Sequence, residues 1–568
     1  MAIEANARDG GEAILEAFRR LGVDYILSSP GSEWSPVWEA LARQKLGNLP
    51  GPKYVEGWHE GLVVNMATGY TLMTGRMQAV LVHAGVGLLQ GAMAILGAQQ
   101  AEVPMVVLSG ESVSLGADPD LAIEAQWYGG LSVGGPDRLA QPFVKWSRQV
   151  MSPHVLHEGL IRAGEMAQRT PKGPVYLDVP LEHMLHRWQP PERPRPVPPA
   201  PKLRPRDEEI AEAAALLRRA RHPIIMAEAA GRDPEGFAAL VALADALAIP
   251  VVSGAQANFA NFPSDHPLYL GYGAKEALAA SDLLLLVGCR APWYPPAARP
   301  TMQGPIIAIS DNPHKAHMIY QDLQAELYLE GDIATALKLL ADAARPGAED
   351  AALIAARRER AVRWHVEWQA MLGAAEAKAR SAAGIDPVAA VATLAASLPR
   401  DTIFVDETIT HSGAVRQHLC PTEPQGYFRV FGGLGQGLGT ALGVKLAAGR
   451  RPVALVTGDG GFLYNPVIQA LGAAQAHGLP ILAVILDNGG YQAMRQGHVH
   501  HYPGGVSVNA DLFYGVHIDG PNYAEFAKPF GHYGRRVERL VDLAPALGEA
   551  EAAMADGKMA ILHLKVSR

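Results

Sequence analysis

The sequence predicts three α/β domains, each built around a doubly wound parallel sheet. Short apolar runs alternate with amphipathic or alanine-rich helical segments along most of the 568 residues, which is the pattern of repeated strand–helix units. A chain of this length exceeds one hydrophobic core, and about three domains is the natural expectation. A stretch rich in proline and arginine at residues 189–206 separates two of these units and predicts an extended linker.

Changes in composition place the domain boundaries. The first α/β unit spans residues 1–188, the linker 189–206, and the second unit 207–343. An alanine- and arginine-rich helical connector at 344–384 leads to the third unit, residues 385–568. The first and third units share a plan of strand, glycine loop and helix, so their strand ends are the first places to search for a site.

Composition also restricts the function classes. The net charge of −8 and the lack of a dense run of lysine or arginine argue against nucleic acid as a main partner. The longest apolar stretch, residues 79–98, contains His83, Gln90 and several glycines, so it predicts a strand, a loop and a helix rather than a membrane span. Two cysteines, Cys289 and Cys420, with no apolar leader segment, predict a cytoplasmic protein without disulfides.

The third unit contains the strongest signal for a ligand site. An apolar run at 452–456 leads into Thr-Gly-Asp-Gly-Gly at 457–461, and a run at 481–486 leads into Asp-Asn-Gly-Gly at 487–490. The spacing between them is that of a strand, a helix and a second strand. Both polar segments are therefore expected at the carboxyl ends of neighbouring parallel strands, where open α/β sheets bind ligands.

The residue types in these two segments suit a diphosphate bridged by a metal ion. Gly460 and Gly461 allow backbone N–H groups to approach an anion at the start of a helix. Asp459 and Asn488 offer the hard oxygen ligands that Mg²⁺ prefers. An ordinary tight turn is the alternative interpretation of the Gly-Asp-Gly triplet by itself.

Together the two segments resemble the diphosphate- and metal-binding motif of thiamine diphosphate enzymes. The resemblance runs along most of the chain, and the His-Glu segment at 59–70 is similar to that of the decarboxylases and acetolactate synthases in this family. It implies an Mg²⁺ ion bound by Asp459, Asn488 and Gly490. It also implies contacts to thiamine diphosphate from Glu60, Thr408, Thr410, His411, Gly433, Leu434, Gly458, Gly460, Gly461, Asn488 and Tyr491.

Glu60 precedes a helical segment of largely apolar and small residues, 62–67. By itself, a carboxylate there is either a surface charge at a helix N-terminus or a buried functional group. The resemblance implies that Glu60 contacts the aminopyrimidine ring and favours its imino tautomer, which then acts as a base. It likewise implies that Leu434, in the glycine-rich stretch 432–438, supports the bent cofactor; a core leucine in a glycine-rich loop is the alternative.

Two residues of the first unit bear on the reaction. His83 follows the predicted strand 79–82, and Ser32 ends a Pro-Gly-Ser segment after the predicted strand 23–27. A lone histidine at a strand end is more often structural than catalytic. Both segments, however, resemble benzoylformate decarboxylases, and this implies that Ser32 binds a substrate carboxylate while His83 transfers protons.

The sequence also departs from that pattern. The stretch 290–296 has no histidine where benzoylformate decarboxylases supply a second one, which weakens the case for an aryl substrate. The loop at 271–274 is too short for the FAD contacts of acetolactate synthases, so FAD is not expected. Flanking glycines and a proline place His498, His500 and His501 in a loop, interpreted as a lid, with a plain surface loop or a metal site as alternatives.

The resemblance therefore predicts an enzyme that acts on a small 2-oxo acid with thiamine diphosphate and Mg²⁺. We expect a decarboxylase; a carboligase like acetolactate synthase, or a lyase that handles an aldehyde, is the alternative. A protein of the same fold that only binds ligand is the non-enzyme alternative. The family binds its cofactor between the first domain of one subunit and the third domain of another, which implies a homodimer or homotetramer and no membrane or nucleic-acid partner.

Overall fold

The computed structural model describes residues 8–110, 131, 133–302, 304–316, 318, 321 and 323–567. Within these residues the chain forms three sheets, each of six parallel strands with interleaved helices. This confirms the predicted fold class of three doubly wound α/β domains. None of the helices in the described part of the chain is long and apolar enough to cross a membrane.

The first sheet has the strand order β2-β1-β3-β4-β6-β5, so its order reverses between β1 and β3. Its strands are β1 (Tyr25–Ser28), β2 (Lys53–Glu56), β3 (Gln78–Val82), β4 (Met105–Ser109), β5 (Trp146–Gln149) and β6 (Pro174–Asp178). Its helices are α1 (Gly10–Arg20), α2 (Ser35–Leu46), α3 (Glu60–Thr74), α4 (Ala84–Gln100), α5 (Pro136–Ala140), α6 (Leu156–Gln168) and α7 (Leu181–Leu185). Every residue of β3 is buried, and alternate side chains join two different apolar clusters, so helices cover both faces.

The second sheet has the order β12-β11-β10-β7-β8-β9, with its reversal between β7 and β10. Its strands are β7 (Pro223–Ala227), β8 (Val251–Ser253), β9 (Tyr269–Tyr272), β10 (Leu283–Val287), β11 (Ile306–Ser310) and β12 (Leu327–Glu330). Its helices are α8 (Asp207–Arg219), α9 (Pro234–Leu247), α10 (Lys275–Ala279), α11 (Ile333–Ala343) and the long α12 (Ala351–Arg380). The preceding residues 189–206 form neither helix nor strand.

Helix α12 leads from the second sheet to the third and is anchored to the former. Trp368 and Leu372 belong to the same apolar cluster as the central strands. The fully buried Arg357 donates hydrogen bonds to the carbonyl of Leu217 (2.8 Å) near the end of α8, and to that of Leu247 (3.0 Å) at the end of α9. One guanidinium thus satisfies carbonyls that two helix C-termini leave without partners.

The third sheet has the order β14-β13-β15-β16-β18-β17, with its reversal between β13 and β15. Its strands are β13 (Ile403–Glu407), β14 (Tyr427–Arg429), β15 (Val453–Gly458), β16 (Leu482–Asp487), β17 (Tyr533–Val537) and β18 (Ala560–Lys565). Its helices are α13 (Pro387–Ser397), α14 (Ser412–His418), α15 (Gly437–Ala448), α16 (Asp459–Tyr464), α17 (Val467–His477), α18 (Gln492–His501), α19 (Val506–Asn509) and α20 (Leu543–Ala555).

Helices α3 and α15 join the first and third domains through direct backbone contact. A Cβ atom on Gly69 would lie 2.1 Å from the carbonyl oxygen of Thr440, and one on Gly443 would lie 2.0 Å from that of Met66. Real Cβ atoms do not approach backbone this closely, so only glycine permits the contact at either position. The close approach fixes how the strand ends of the first domain face those of the third.

A buried ion pair joins the first and second domains. Lys315 lies 2.9 Å from Oε1 of Glu102, and the two side chains are 6% and 14% exposed. Arg232 donates to the backbone carbonyls of Ala101 and Glu102. Burial opposes ionisation of Glu102, but the charges of Lys315 and Arg232 outweigh it and lower the pKa of that carboxyl. This junction lies directly after α4.

Candidate active site

A cavity of about 470 Å³ opens at the carboxyl edge of the third sheet, where the strand order reverses between β13 and β15. This is the ligand-binding position of open α/β sheets. Its lining contains every third-domain residue that the sequence predicts to contact cofactor or metal, namely Thr408, Thr410, His411, Gly433, Leu434, Gly458, Asp459, Gly460, Gly461, Asn488, Gly490 and Tyr491.

Asp459 is the first residue of α16, so Gly460 and Gly461 lie at the start of a helix as expected. Its Oδ1 accepts a hydrogen bond from the N–H of Gly460 (2.9 Å), while its buried Oδ2 has no hydrogen-bond partner among the described residues. Burial, with a contribution from neighbouring Asp487, raises the pKa of Asp459 to about 6. A buried carboxylate oxygen left without a donor fits a cation ligand.

The other two predicted metal ligands flank Asp459 at the end of β16. Oδ1 of Asn488 accepts a hydrogen bond from the N–H of Gly490 (3.2 Å), and its Nδ2 lies 2.9 Å from Nε2 of His411. The carbonyl of Gly490 accepts from the N–H of Gln492 (3.0 Å). Each of these carbonyl oxygens has a second lone pair, so the hydrogen bonds leave room for a metal ion. The donor set of three hard oxygens therefore fits Mg²⁺.

Asp487 supports this edge of the sheet and was not predicted as a site residue. It accepts hydrogen bonds from Nε2 of His563 (2.7 Å), Nζ of Lys565 (3.1 Å) and the N–H of Gly489 (2.8 Å). Burial acts to raise the pKa of Asp487, but these hydrogen bonds outweigh burial and hold it well below its ordinary value. His563 and Lys565 both come from β18, far along the sequence, so no local pattern indicated these two partners.

Glu407 shapes the part of the cavity that holds Leu434. Glu407 is the last residue of β13 and is buried. Its carboxylate accepts from the N–H groups of Gly435 (2.8 Å) and Gln436 (2.6 Å) and from Nδ2 of Asn465 (2.7 Å). Burial raises the pKa of Glu407 despite these bonds. The carboxylate therefore fixes the glycine-rich loop and presents the half-buried Leu434 to the cavity.

The predicted first-domain residues lie together at another strand edge. Ser32 follows β1 and is exposed, while His83 follows the neighbouring strand β3. Nδ1 of His83 lies 2.9 Å from Oε2 of Glu33, whose other oxygen accepts from the N–H of Ala84 (2.9 Å). Glu33 is fully buried. Its hydrogen bond and charge raise the pKa of His83, with burial opposing.

Glu33 was missed because its neighbours Ser32 and Trp34 gave no sign that it would point inward. Its partner Ala84 has a positive φ of 42°, a strained conformation for a residue with a Cβ atom. This strained residue directly follows His83, at the turn that places the imidazole against the carboxylate of Glu33.

Glu60 joins this first-domain cluster as the first residue of α3, with His59 as the N-cap. Its Oε1 would lie 3.1 Å from a Cβ on Gly87, so the carboxylate contacts the first turn of α4. The charge of Glu60 also contributes to the raised pKa of His83. The structure therefore brings Ser32, His83 and Glu60 to one edge, as their positions after β1, β3 and β2 require.

This cluster and the cavity are separate within one chain. Glu60 contacts α4 at Gly87 and Gly91, and it does not belong to the described cavity lining. Neither Ser32 nor His83 belongs to the described lining.

Large apolar side chains are exposed around α4 and α16. Trp58, Leu89, Met93, Tyr464 and Ile468 are between 49% and 62% exposed, and they form what we call the apolar face. A Cβ on Gly433, in the cavity lining, would meet Met93. The apolar face is therefore continuous with the cavity.

The three clustered histidines lie in a helix rather than a loop. His498, His500 and His501 are in the last turns of α18, so the loop prediction was wrong. Met494, earlier in the same helix, lines the cavity. Across the described residues no group of three or more His, Cys, Asp or Glu side chains is arranged to hold a metal ion.

Comparison with known proteins gives matches over all three domains. Three models of thiamine pyrophosphate enzymes match: the N-terminal TPP-binding domain at residues 8–121, the central domain at 210–340 and the C-terminal TPP-binding domain at 409–564. Benzoylformate decarboxylase from Pseudomonas aeruginosa is 28% identical, over 95% of this chain and 96% of its own. The acetolactate synthase large subunit of Haemophilus influenzae is 26% identical, over 95% and 92%.

A solved structure shares the whole fold. Benzoylformate decarboxylase from Polynucleobacter necessarius superposes with a TM-score of 0.79 over 99% of both chains, at 20% identity. The matches confirm the resemblance drawn from the motifs.

Proposed function

Because the chain belongs to the thiamine diphosphate-dependent enzymes, we propose that it uses this cofactor with Mg²⁺ to decarboxylate a 2-oxo acid. The observation that carries the proposal is the buried Oδ2 of Asp459, which has no partner among the described residues and stands beside the oxygens of Asn488 and Gly490. The 28% identity to a benzoylformate decarboxylase supports decarboxylation as the reaction.

The third domain would hold the diphosphate and its metal. Asp459, Asn488 and the carbonyl of Gly490 would bind Mg²⁺, and the hydroxyls of Thr408 and Thr410 would donate to phosphate oxygens. When bound, thiamine diphosphate supplies the nucleophilic carbon and the electron sink for loss of CO₂. The rigid loop held by Glu407 would keep Leu434 in place against the cofactor.

The first domain would supply the acid–base groups. Glu60 would hold the pyrimidine ring by a hydrogen bond, and the Ser32 hydroxyl would bind the substrate carboxylate. With Glu33 holding Nδ1–H, the imidazole of His83 would give and take protons at Nε2.

Carbon–carbon bond formation is the second candidate. The relationship to acetolactate synthase favours it, as does the lack of a histidine at residues 290–296. A decarboxylase releases an aldehyde and CO₂ from one 2-oxo acid, whereas a carboligase consumes an acceptor as well. A panel of 2-oxo acids with and without aldehydes, with detection of CO₂ and products, separates the two; no turnover with bound cofactor would leave only a binding protein.

We further propose that two subunits share each site. Ser32, Glu60 and His83 lie outside the described cavity lining, and the apolar face adjoins the cavity through Met93. Exposed apolar surface of this kind marks an interface. A second copy related by twofold symmetry would bring its first-domain cluster to this chain's cavity and this chain's cluster to its own.

Mixing two inactive variants tests the shared site. Glu60→Gln should bind cofactor without activating it, and Asp459→Ala should fail to bind it. Co-expressed subunits should regain activity, because a mixed dimer has one site with both native halves. Activity no greater than in either variant alone, in mixed dimers verified by mass, would refute the shared site.

A further inference from the structure

The second domain contributes one wall of the cavity, and this wall has no role in the function proposed above. Gln256, Asn258 and Arg290 line it, next to Arg429 and Phe431 of the third domain. Arg290 follows β10, which pairs with β7. The strand order of the second sheet reverses between these strands, so the ligand-binding edge of the second sheet opens into the same cavity.

Arg290 and Arg429 both line the cavity near the end of β14. The guanidinium of Arg290 is 5.1 Å from the ring centre of Phe431. Arg429 ends β14 two residues before Phe431, and both residues line the cavity. The N–H of Arg429 donates to the carbonyl of Asn258 (2.9 Å), which fixes the second-domain wall beside it.

The donors of Arg429 are only partly used. Nη2 donates to the carbonyl of Thr408 (3.1 Å). Nη1 lies 3.7 Å from Oδ2 of Asp406, beyond hydrogen-bond length, and has no acceptor among the described residues although it is buried. Asp406 is itself occupied, since it accepts from the Tyr427 hydroxyl (2.6 Å) and from the N–H of Thr408 (2.7 Å).

The carboxylate of Glu228 bonds backbone N–H groups and does not belong to the described cavity lining. Glu228 follows β7 and accepts from the N–H groups of Arg290 (2.7 Å) and Gln256 (3.0 Å). Burial raises the pKa of Glu228, although the hydrogen bonds from Arg290 and Gln256 oppose this. The guanidinium of Arg290 extends past it, over Phe431, to the carbonyl of Gln100 at the end of α4.

We propose that Arg290 and Arg429, with the amides of Gln256 and Asn258, form an oxyanion-binding subsite for a second anionic group of the substrate. The group is a carboxylate, sulfonate or phosphate at the end of the molecule remote from the reacting keto acid. Guanidinium groups bind such oxyanions through paired hydrogen bonds. The inference rests on the proposed function and specifies its substrate class as 2-oxo acids with an anionic tail.

Matched pairs of substrates test the subsite in the holoenzyme. We expect kcat/KM for 2-oxoadipate to exceed that for 2-oxohexanoate, which has a methyl group in place of the distal carboxylate. Arg290→Met and Arg429→Met should each lower this ratio about 10- to 100-fold, the range for one lost charged hydrogen bond. Arg290→Lys and Arg429→Lys, which keep the charge, should lower it less and cover the case that a methionine variant fails to fold.

Arg299→Met is the control. Arg299 belongs to the same domain and stacks on Trp293, and it is not among the residues that line the cavity. Its replacement should leave the preference for 2-oxoadipate over 2-oxohexanoate unchanged. A wild-type enzyme that prefers 2-oxohexanoate would overturn the inference. So would arginine variants with weakened thiamine diphosphate affinity and an unchanged ratio, because the arginines would then hold the cofactor.

A binding measurement separates this inference from the proposed function. Glutarate titrated calorimetrically into cofactor-loaded protein should bind more tightly than butyrate, and this difference should vanish in Arg429→Met. If no 2-oxo acid is turned over, the proposed function fails, while the titration still decides the subsite. Equal binding of glutarate and butyrate by the wild type would refute the oxyanion-binding subsite.

Discussion

The contact between Glu33 and His83 shows how one buried carboxylate sets the chemistry of a neighbouring side chain. Glu33 has no exposure and uses both oxygens, one on Nδ1 of His83 and one on the N–H of Ala84. The imidazole is thereby held in one orientation, with Nε2 directed away from the carboxylate. A histidine held this way stays protonated to higher pH than a free one.

Replacing Glu33 by glutamine should lower the pKa of His83. The amide keeps the size and a hydrogen bond but loses the charge that favours imidazolium, so the titration should move to lower pH. The stability gained from this pair is present below the ordinary histidine pKa and is lost as pH rises through the raised value. NMR titration of His83, assigned with His83→Ala, measures the shift; an unmoved midpoint would show that Glu33 does not control the protonation.

Replacing Asp459 tests the proposed Mg²⁺ site. Asp459→Ala removes the oxygen that has no donor and should abolish the Mg²⁺ dependence of thiamine diphosphate binding. Glu60→Gln, at the other strand edge, is the control and should bind the cofactor nearly as well as the wild type. Calorimetric titration with and without Mg²⁺ makes the comparison, and equal affinity in Asp459→Ala would disprove the metal assignment.

At the scale of elements, the contact between α3 and α15 depends on glycine. Gly443→Ala places a methyl group 2.0 Å from the carbonyl oxygen of Met66. Because that neighbour is backbone, the helices must separate, and we expect a loss of about 1–3 kcal/mol. Gly373→Ala in α12, with no heavy atom within 4 Å, is the control and should gain about 0.5–1 kcal/mol. Urea unfolding measures both; equal stability of the two variants would contradict the packing argument.

Most elements and the third-domain side of the site were predictable from sequence because both depend on local pattern. The apolar runs and glycine turns around Asp459 and Asn488 specify strands, and parallel strands bring their ends together. Contacts between residues far apart in the sequence could not be predicted from local pattern. Examples are the contact of Glu33 with His83 and that of Asp487 with His563. The histidines of α18 were misplaced because flanking glycine and proline outweighed a weak helical signal.

At the scale of the whole molecule, the pair of Lys315 and Glu102 holds two domains together. Lys315→Ala leaves Glu102 buried with reduced compensation, a change that costs about 3–5 kcal/mol when one partner of a buried pair is removed. Lys338→Ala is the control, because Lys338 pairs with Glu235 on the surface and both are more than half exposed; it should cost under about 1 kcal/mol. Differential scanning calorimetry compares the two variants, and the same melting temperature for both would refute the role of Lys315.

Helix α12 determines where the chain can be cut. A recombinant fragment of the second domain that stops at residue 343 would lose Arg357, and the carbonyls at the ends of α8 and α9 would lose their donor. It would also expose the apolar surface that Trp368 and Leu372 cover. Such a fragment should aggregate, whereas one extended to residue 380 should remain soluble and resist limited proteolysis.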